Sequence, residues 1–230
     1  MTDVSMRVYF IHVYRRHWEF YPDEQAEDSL VDQDAEVTQS GWMVWLRRKI
    51  TSTWHAVERP KPDGTKSRLR KILDTLNARV DPTEPMLRRF RKAPEVVVTY
   101  PSGISPQYAR RRLRLLLLNK TASHRRWMII NGAMLPLTAA MTLLPGPNVF
   151  FAWNGYRLLA HLFALRGGQR VLSGQVAVTF MPNDELNELL APEERLIKPL
   201  EQDVAHSIGQ RFKLPGLVEY LKRNGCFASE

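Results

Sequence analysis

Carboxylates vanish from the middle of this chain: between Val96 and Asn183 there is no Asp or Glu. That absence excludes paired-carboxylate catalysis, an acidic cation cage and a carboxylate proton relay from the whole stretch. Cysteine is nearly missing too. Cys226 stands alone, so no intrachain disulfide can form and no thiolate metal site of the usual kind can be assembled. His12 and His17, five apart beside a strand, have a poor metal spacing and read as core or surface histidines. No Gly-x-Gly-x-x-Gly, P-loop, Gly-x-Ser-x-Gly or His-Glu-x-x-His pattern occurs, which leaves an enzyme as the least supported class. Met1 to Val13 does not read as a secretory signal, since it carries Asp3 and Arg7 and its apolar run from Val8 is too short. Targeting information is then expected to be internal.

What the acid-free stretch does hold is basic. It contains Arg110, Arg111, Arg112, Arg114, Lys120, Arg125, Arg126, Arg157, Arg166 and Arg170, ten cations against a net charge of +9 for all 230 residues. The basic character of the chain therefore belongs to this one segment, which also contains its most apolar part. With 25% charged and 44% hydrophobic residues, the composition is that of a folded protein and not of a disordered one.

Three short β-rich runs stand out: Arg7 to Val13, Val96 to Tyr100 and Val176 to Phe180. An acidic arm, 19–36, carries eight acids and no Lys or Arg. Apolar residues at helical spacing follow at Met43, Leu46, Ile50, Trp54 and Val57, and again at Leu69, Ile72, Leu73, Leu76 and Val80. A shorter helix with Met86, Leu87 and Phe90 is expected to stop at Pro94. Ser105-Pro106 reads as a helix start, with serine as N-cap and proline at the first helical position. Helices carrying Leu186, Leu189 and Leu190, then Val204, Ile208 and Phe212, then Leu217, Val218 and Leu221 fill the C-terminal third.

Trp127 to Leu144 is free of formal charge. Its eighteen residues span ~27 Å, just short of the ~30 Å hydrocarbon thickness. Pro145, Gly146, Pro147 and Asn148 form a tight tip, and a return helix runs from Val149 to Leu165. A buried hairpin in a soluble core is one reading. Aromatic residues near the segment ends, and Arg125, Arg126, Arg166 and Arg170 outside both open ends, favour a membrane hairpin with both ends on the same side. On the return helix Asn154, Arg157 and His161 form one stripe, answered by Asn131 and Thr138 on the first leg. An intramembrane arginine needs a partner, so this polar stripe is expected to contact lipid or a neighbouring subunit. The arginines at 110, 111, 112, 114, 125, 126, 166 and 170 are expected to meet headgroups, cardiolipin or another anionic phospholipid, in preference to nucleic acid.

The expected fold is α+β and mostly helical: a small three-strand sheet with a membrane hairpin inserted between strands. Four parts follow: 1–100 with the acidic arm, a basic amphipathic helix at 101–126, the hairpin at 127–166, and a strand plus helices at 167–230.

Leu135-Pro136-Leu137-Thr138, the Leu144 to Asn148 tip, Tyr156-Arg157, His161 and Ala164-Leu165-Arg166-Gly167-Gly168 together carry a resemblance. So do Met6 to Ile11, Val97 to Ser102 and the helices from Ile208 to Leu221. The chain resembles the mitochondrial K+/H+ exchange-related family. The resemblance implies an inner-membrane or membrane-associated mitochondrial protein and supplies no catalytic residues; the positive-inside rule then puts both hairpin ends and the soluble part on the matrix side. Two readings stay open: a non-enzymatic accessory protein of K+/H+ exchange that contacts lipid and protein, and a supernumerary subunit of ATP synthase or a respiratory complex. An oligomeric cation/proton exchanger is a third, less supported by two short helices without an acid.

Overall fold

A computed structural model describes residues 5–23, 80–140 and 149–227. The helical stripe read at 43–57, nearly all of that at 69–80, most of the acidic arm and the tip at 145–148 lie outside the described residues. The chain divides into two compact units. One comprises Met1–Glu27, Pro85–Thr121 and Ala164–Glu230, and the other Asp28–Glu84 and Ala122–Phe163.

The first unit is built on a sheet of four strands in the order β2-β1-β3-β4. β1 is Met6–Tyr14 and β2 is His17–Pro22, paired antiparallel with Tyr9 opposite Tyr21. β3, Glu95–Pro101, runs parallel to β1, and β4, Ala177–Asn183, runs parallel to β3. A three-strand sheet is thus corrected to four. The missed strand is the start of the expected acidic arm. His17-Trp18-Glu19-Phe20-Tyr21 alternates aromatic with polar residues, and Phe20 and Tyr21 are buried on opposite faces.

β1 is buried on both faces, which explains its unbroken run Val8-Tyr9-Phe10-Ile11. On one face Val8, Phe10, Phe20, Val96 and Val98 pack with α1 (Glu84–Arg89), α2 (Pro106–Ala140) and the end of α3 (Val149–Leu172). Ser105 Oγ accepts from the Tyr108 N–H at 3.3 Å, as the Ser-Pro start of α2 requires. On the other face Tyr9, Ile11, Val13 and Tyr21 pack with α4 (Asp184–Leu190), α5 (Gln202–Arg211) and α6 (Leu217–Arg223). Asn183 ends β4 and caps α4 through the Leu186 N–H at 2.6 Å, so strand passes straight into helix.

The expected membrane hairpin is overturned. No helix among the described residues is long and apolar enough to cross a membrane. The basic helix and the first leg of the hairpin are one 35-residue helix, α2, so the apolar run continues a cation-bearing helix and does not begin a span of its own. The return leg, α3, buries Asn154 and His161 and carries Arg157 paired to a carboxylate from outside the hairpin. Pro136 lies inside α2, which continues to Ala140.

Candidate functional site

In the second unit, α2 and α3 carry inward-facing residues at helical spacing. His124, Asn131 and Thr138 recur every seventh residue on α2, with Phe151, Asn154 and His161 on α3. A small apolar cluster of Phe151, Leu135, Ala139, Tyr156 and Leu159 surrounds this polar seam.

Three of the five stripe residues meet at one place. Asn154 Nδ2 donates to Asn131 O at 3.1 Å and to Thr138 Oγ1 at 3.3 Å. Thr138 in turn donates to the carbonyls of Leu135 and Met134, and Asn131 Nδ2 to that of Trp127 at 2.7 Å. These bonds satisfy a buried amide and hydroxyl within the helix pair, a requirement of burial rather than a chemistry of its own.

The other two stripe residues meet partners that the spacing did not reveal. Arg157 donates through Nη1 and Nη2 to the two oxygens of Glu84, at 3.0 and 2.8 Å. Glu84 is 1% exposed and opens α1, just after a turn in which Asp81 Oδ1 accepts from the backbone and hydroxyl of Thr83. The same guanidinium reaches His161 Nε2 at 3.2 Å, and His161 Nδ1 lies 2.8 Å from His124 Nδ1. A guanidinium only donates, so His161 Nε2 accepts and the ring proton sits on Nδ1, directed at His124. His124 accepts at Nδ1 and holds its own proton on Nε2. Burial, Arg157 and His124, in that order, lower the His161 pKa to about 3, so both its charge and its tautomer are fixed at neutral pH.

Glu84, His124 and His161 bring ligand atoms within 4.8 Å of one another, a spacing a metal could use. The cation of this cluster is already supplied, however: Arg157 occupies both carboxylate oxygens and one imidazole. Glutamate, guanidinium and two neutral imidazoles sum to no net charge. The arrangement locks helices together and orders protons.

The basic residues divide by environment. Arg110 stacks over Phe180, and Arg112 over Tyr108, to whose hydroxyl its Nε also donates at 3.1 Å. Arg170 is half-buried and donates to Arg91 O. Arg111, Arg114, Arg125, Arg126 and Arg166 are exposed. Beyond Arg125 and Arg126, α2 turns an apolar face outward: Trp127, Ile130, Met134 and Leu137 at i, i+3, i+7 and i+10, with Ile129 beside them. Trp127 is 46% exposed, Ile129 61% and Leu137 59%, values that no core position of the chain approaches. Pro145, Gly146, Pro147 and Asn148 lie outside the described residues.

No curated protein and no solved structure matches the chain. A family model described as mitochondrial K+/H+ exchange-related matches residues 7–173, from the second residue of β1 to the end of α3. That span takes in all four strands but the last, and every member of the polar seam. The chain belongs to the mitochondrial K+/H+ exchange-related family.

Proposed function

We propose that this chain is a non-enzymatic accessory protein of mitochondrial K+/H+ exchange that seats on the matrix face of the inner membrane without crossing it. The observation that carries the reading is the outward face of α2: Trp127, Ile130, Met134 and Leu137 in one row, preceded by Arg125 and Arg126. A helix lying in a membrane interface needs this combination, aliphatic and indole groups to enter the acyl boundary and arginines at headgroup depth. The missing acids make the same face hospitable to anionic phospholipid, since no carboxylate from Val96 to Asn183 would repel a phosphate. The polar seam behind that face then has a mechanical role. It holds α2 to α3 by hydrogen bonds, and fixes α3 to the start of α1 by one ion pair, while the outer side of α2 stays apolar.

Flotation of the full-length protein with phosphatidylcholine vesicles, with and without cardiolipin, tests the reading. Binding should need cardiolipin and weaken with salt. It should fall at least tenfold in Trp127→Glu/Ile130→Glu and in Arg125→Gln/Arg126→Gln. Binding indifferent to cardiolipin and to both variants would sink it. Native electrophoresis of gently solubilised mitochondria discriminates the subunit reading. Co-migration with a complex approaching megadalton size, in place of vesicle binding, would give the apolar face to a neighbouring subunit.

A further inference from the structure

At the turn end of the β1–β2 hairpin, three metal-ligating side chains meet from opposite ends of the chain. His17 and Glu19 are two apart on β2 and so project from the same face. Cys226 follows α6, turned toward them at Gly225, whose φ is +65°. One ligand atom from each residue lies within 4.8 Å of the others. His17 Nε2 is 2.8 Å from Glu19 Oε1, while Glu19 Oε2 accepts from Asn224 Nδ2 at 3.3 Å; the Tyr220 hydroxyl, 3.4 Å away, gives its one proton to Phe20 O at 3.0 Å. One carboxylate oxygen is thus steadied from behind and the other is turned toward the imidazole and the thiol.

We propose that His17, Glu19 and Cys226 form a zinc-binding site with its fourth position open to water. One nitrogen, one oxygen and one sulfur donor suit Zn²⁺ better than a hard cation, which would reject the thiolate, or Cu(I), which would reject the carboxylate. Bonds of about 2.0–2.3 Å place tetrahedral ligands roughly 3.3–3.8 Å apart. His17 and Glu19 need only separate slightly and the sulfur approach by about 1 Å. The His17 side chain is 47% exposed, which leaves the fourth position facing solvent. Asn224 does the orienting work that an outer partner performs for a ligating carboxylate. No Lys or Arg pairs with Glu19 among the described residues, in contrast to Glu84, whose guanidinium excludes a second cation. Loading replaces one proton: the Cys226 thiol gives up its hydrogen to solvent as the sulfur–zinc bond forms. His17 binds as neutral imidazole through Nε2 with its ring proton on Nδ1. The metal ties the last residues of the chain to its first hairpin.

The test titrates Co²⁺ and then Zn²⁺ into the full-length, reduced and chelator-stripped protein. One Co²⁺ per chain should bind with a thiolate-to-cobalt charge-transfer band, and Zn²⁺ should displace it. Cys226→Ser should abolish the band, His17→Ala should remove tight binding, and Asn224→Ala should weaken it about 10–100-fold. A spectrum without the thiolate band, wild-type affinity in Cys226→Ser, or binding lost in His124→Ala instead would overturn the assignment. The wild-type chain offers a check free of any folding defect. Zn²⁺ should protect Cys226 from alkylation, and an unchanged alkylation rate would refute the site.

Discussion

The Arg157–Glu84 pair shows how one residue constrains the rest. Burying the two charges costs desolvation, and the pair offsets that cost only because both guanidinium nitrogens meet both oxygens. Removing one partner should therefore do more harm than removing both. Glu84→Leu and Arg157→Met should each destabilise the fold by about 3–5 kcal/mol, and the Glu84→Leu/Arg157→Met double variant by clearly less than the sum. Urea unfolding of the four proteins measures the difference; additive losses would show that the charges do not act as a pair. The helical spacing of Asn154, Arg157 and His161 made their shared stripe legible in the sequence, along with Asn131 and Thr138 opposite. Their partners were not legible. Glu84 lies 73 residues from Arg157, and His124 is camouflaged by Arg125 and Arg126 beside it. The available signal was the acid-free stretch itself. An arginine buried among apolar residues must draw its carboxylate from elsewhere, and Asp81-Pro82-Thr83-Glu84-Pro85 is a helix start carrying one.

Among the elements, α3 explains two glycines that a helix interior would otherwise reject at about 1 kcal/mol each. A Cβ on Gly167 would strike the Leu87 carbonyl oxygen and stand 3.1 Å from Arg91 N, so α1 and α3 touch backbone to backbone. At Gly168 the obstacle is the methyl of Thr121, a side chain whose hydroxyl donates to Leu117 O at 2.7 Å. Gly167→Ala should cost about 1–3 kcal/mol and Gly168→Ala less, because backbone cannot yield as a side chain can. Thermal denaturation ranks the two; an equal or reversed order would contradict the close crossing. Most elements were legible because a single local signal dominates each: the unbroken β-branched and aromatic run of β1, the Ser-Pro start of α2, the stripes of α5 and α6. β2 was not, since charge counting over 19–36 hid the aromatic alternation at its start. The hairpin misled for a related reason. Freedom from formal charge is not freedom from polarity: Asn131, Thr138, Asn154 and His161 sit in both legs, and the helices turn them toward each other.

For the molecule as a whole, charge and acid sensitivity follow from the same segregation. Acidification adds protons to carboxylates that all lie outside the stretch from Val96 to Asn183, so a chain already at +9 loses the negative charge of its other segments and becomes cationic there as well. His161 sharpens the effect. Its folded pKa of about 3 lies below the unfolded value of 6.5, so the unfolded chain takes the proton first. The stability linked to this histidine is complete above pH 6.5 and is lost as pH falls toward 3. Denaturant midpoints across that window should decline in the wild type and decline less steeply in His161→Gln; parallel profiles would remove His161 from the acid response. The strand order β2-β1-β3-β4 has a consequence in time. β1 can form its hairpin with β2 as soon as residue 22 is made, but its other neighbour begins at Glu95, and β4 begins at Ala177. At about 5–20 residues per second, roughly 10–30 s of synthesis separate the first strand from the last, and the helices that cover Tyr9, Ile11 and Tyr21 emerge later still. Through that interval the nascent hairpin has neither of its apolar faces covered, so the native burial of β1 is one of the last events of folding.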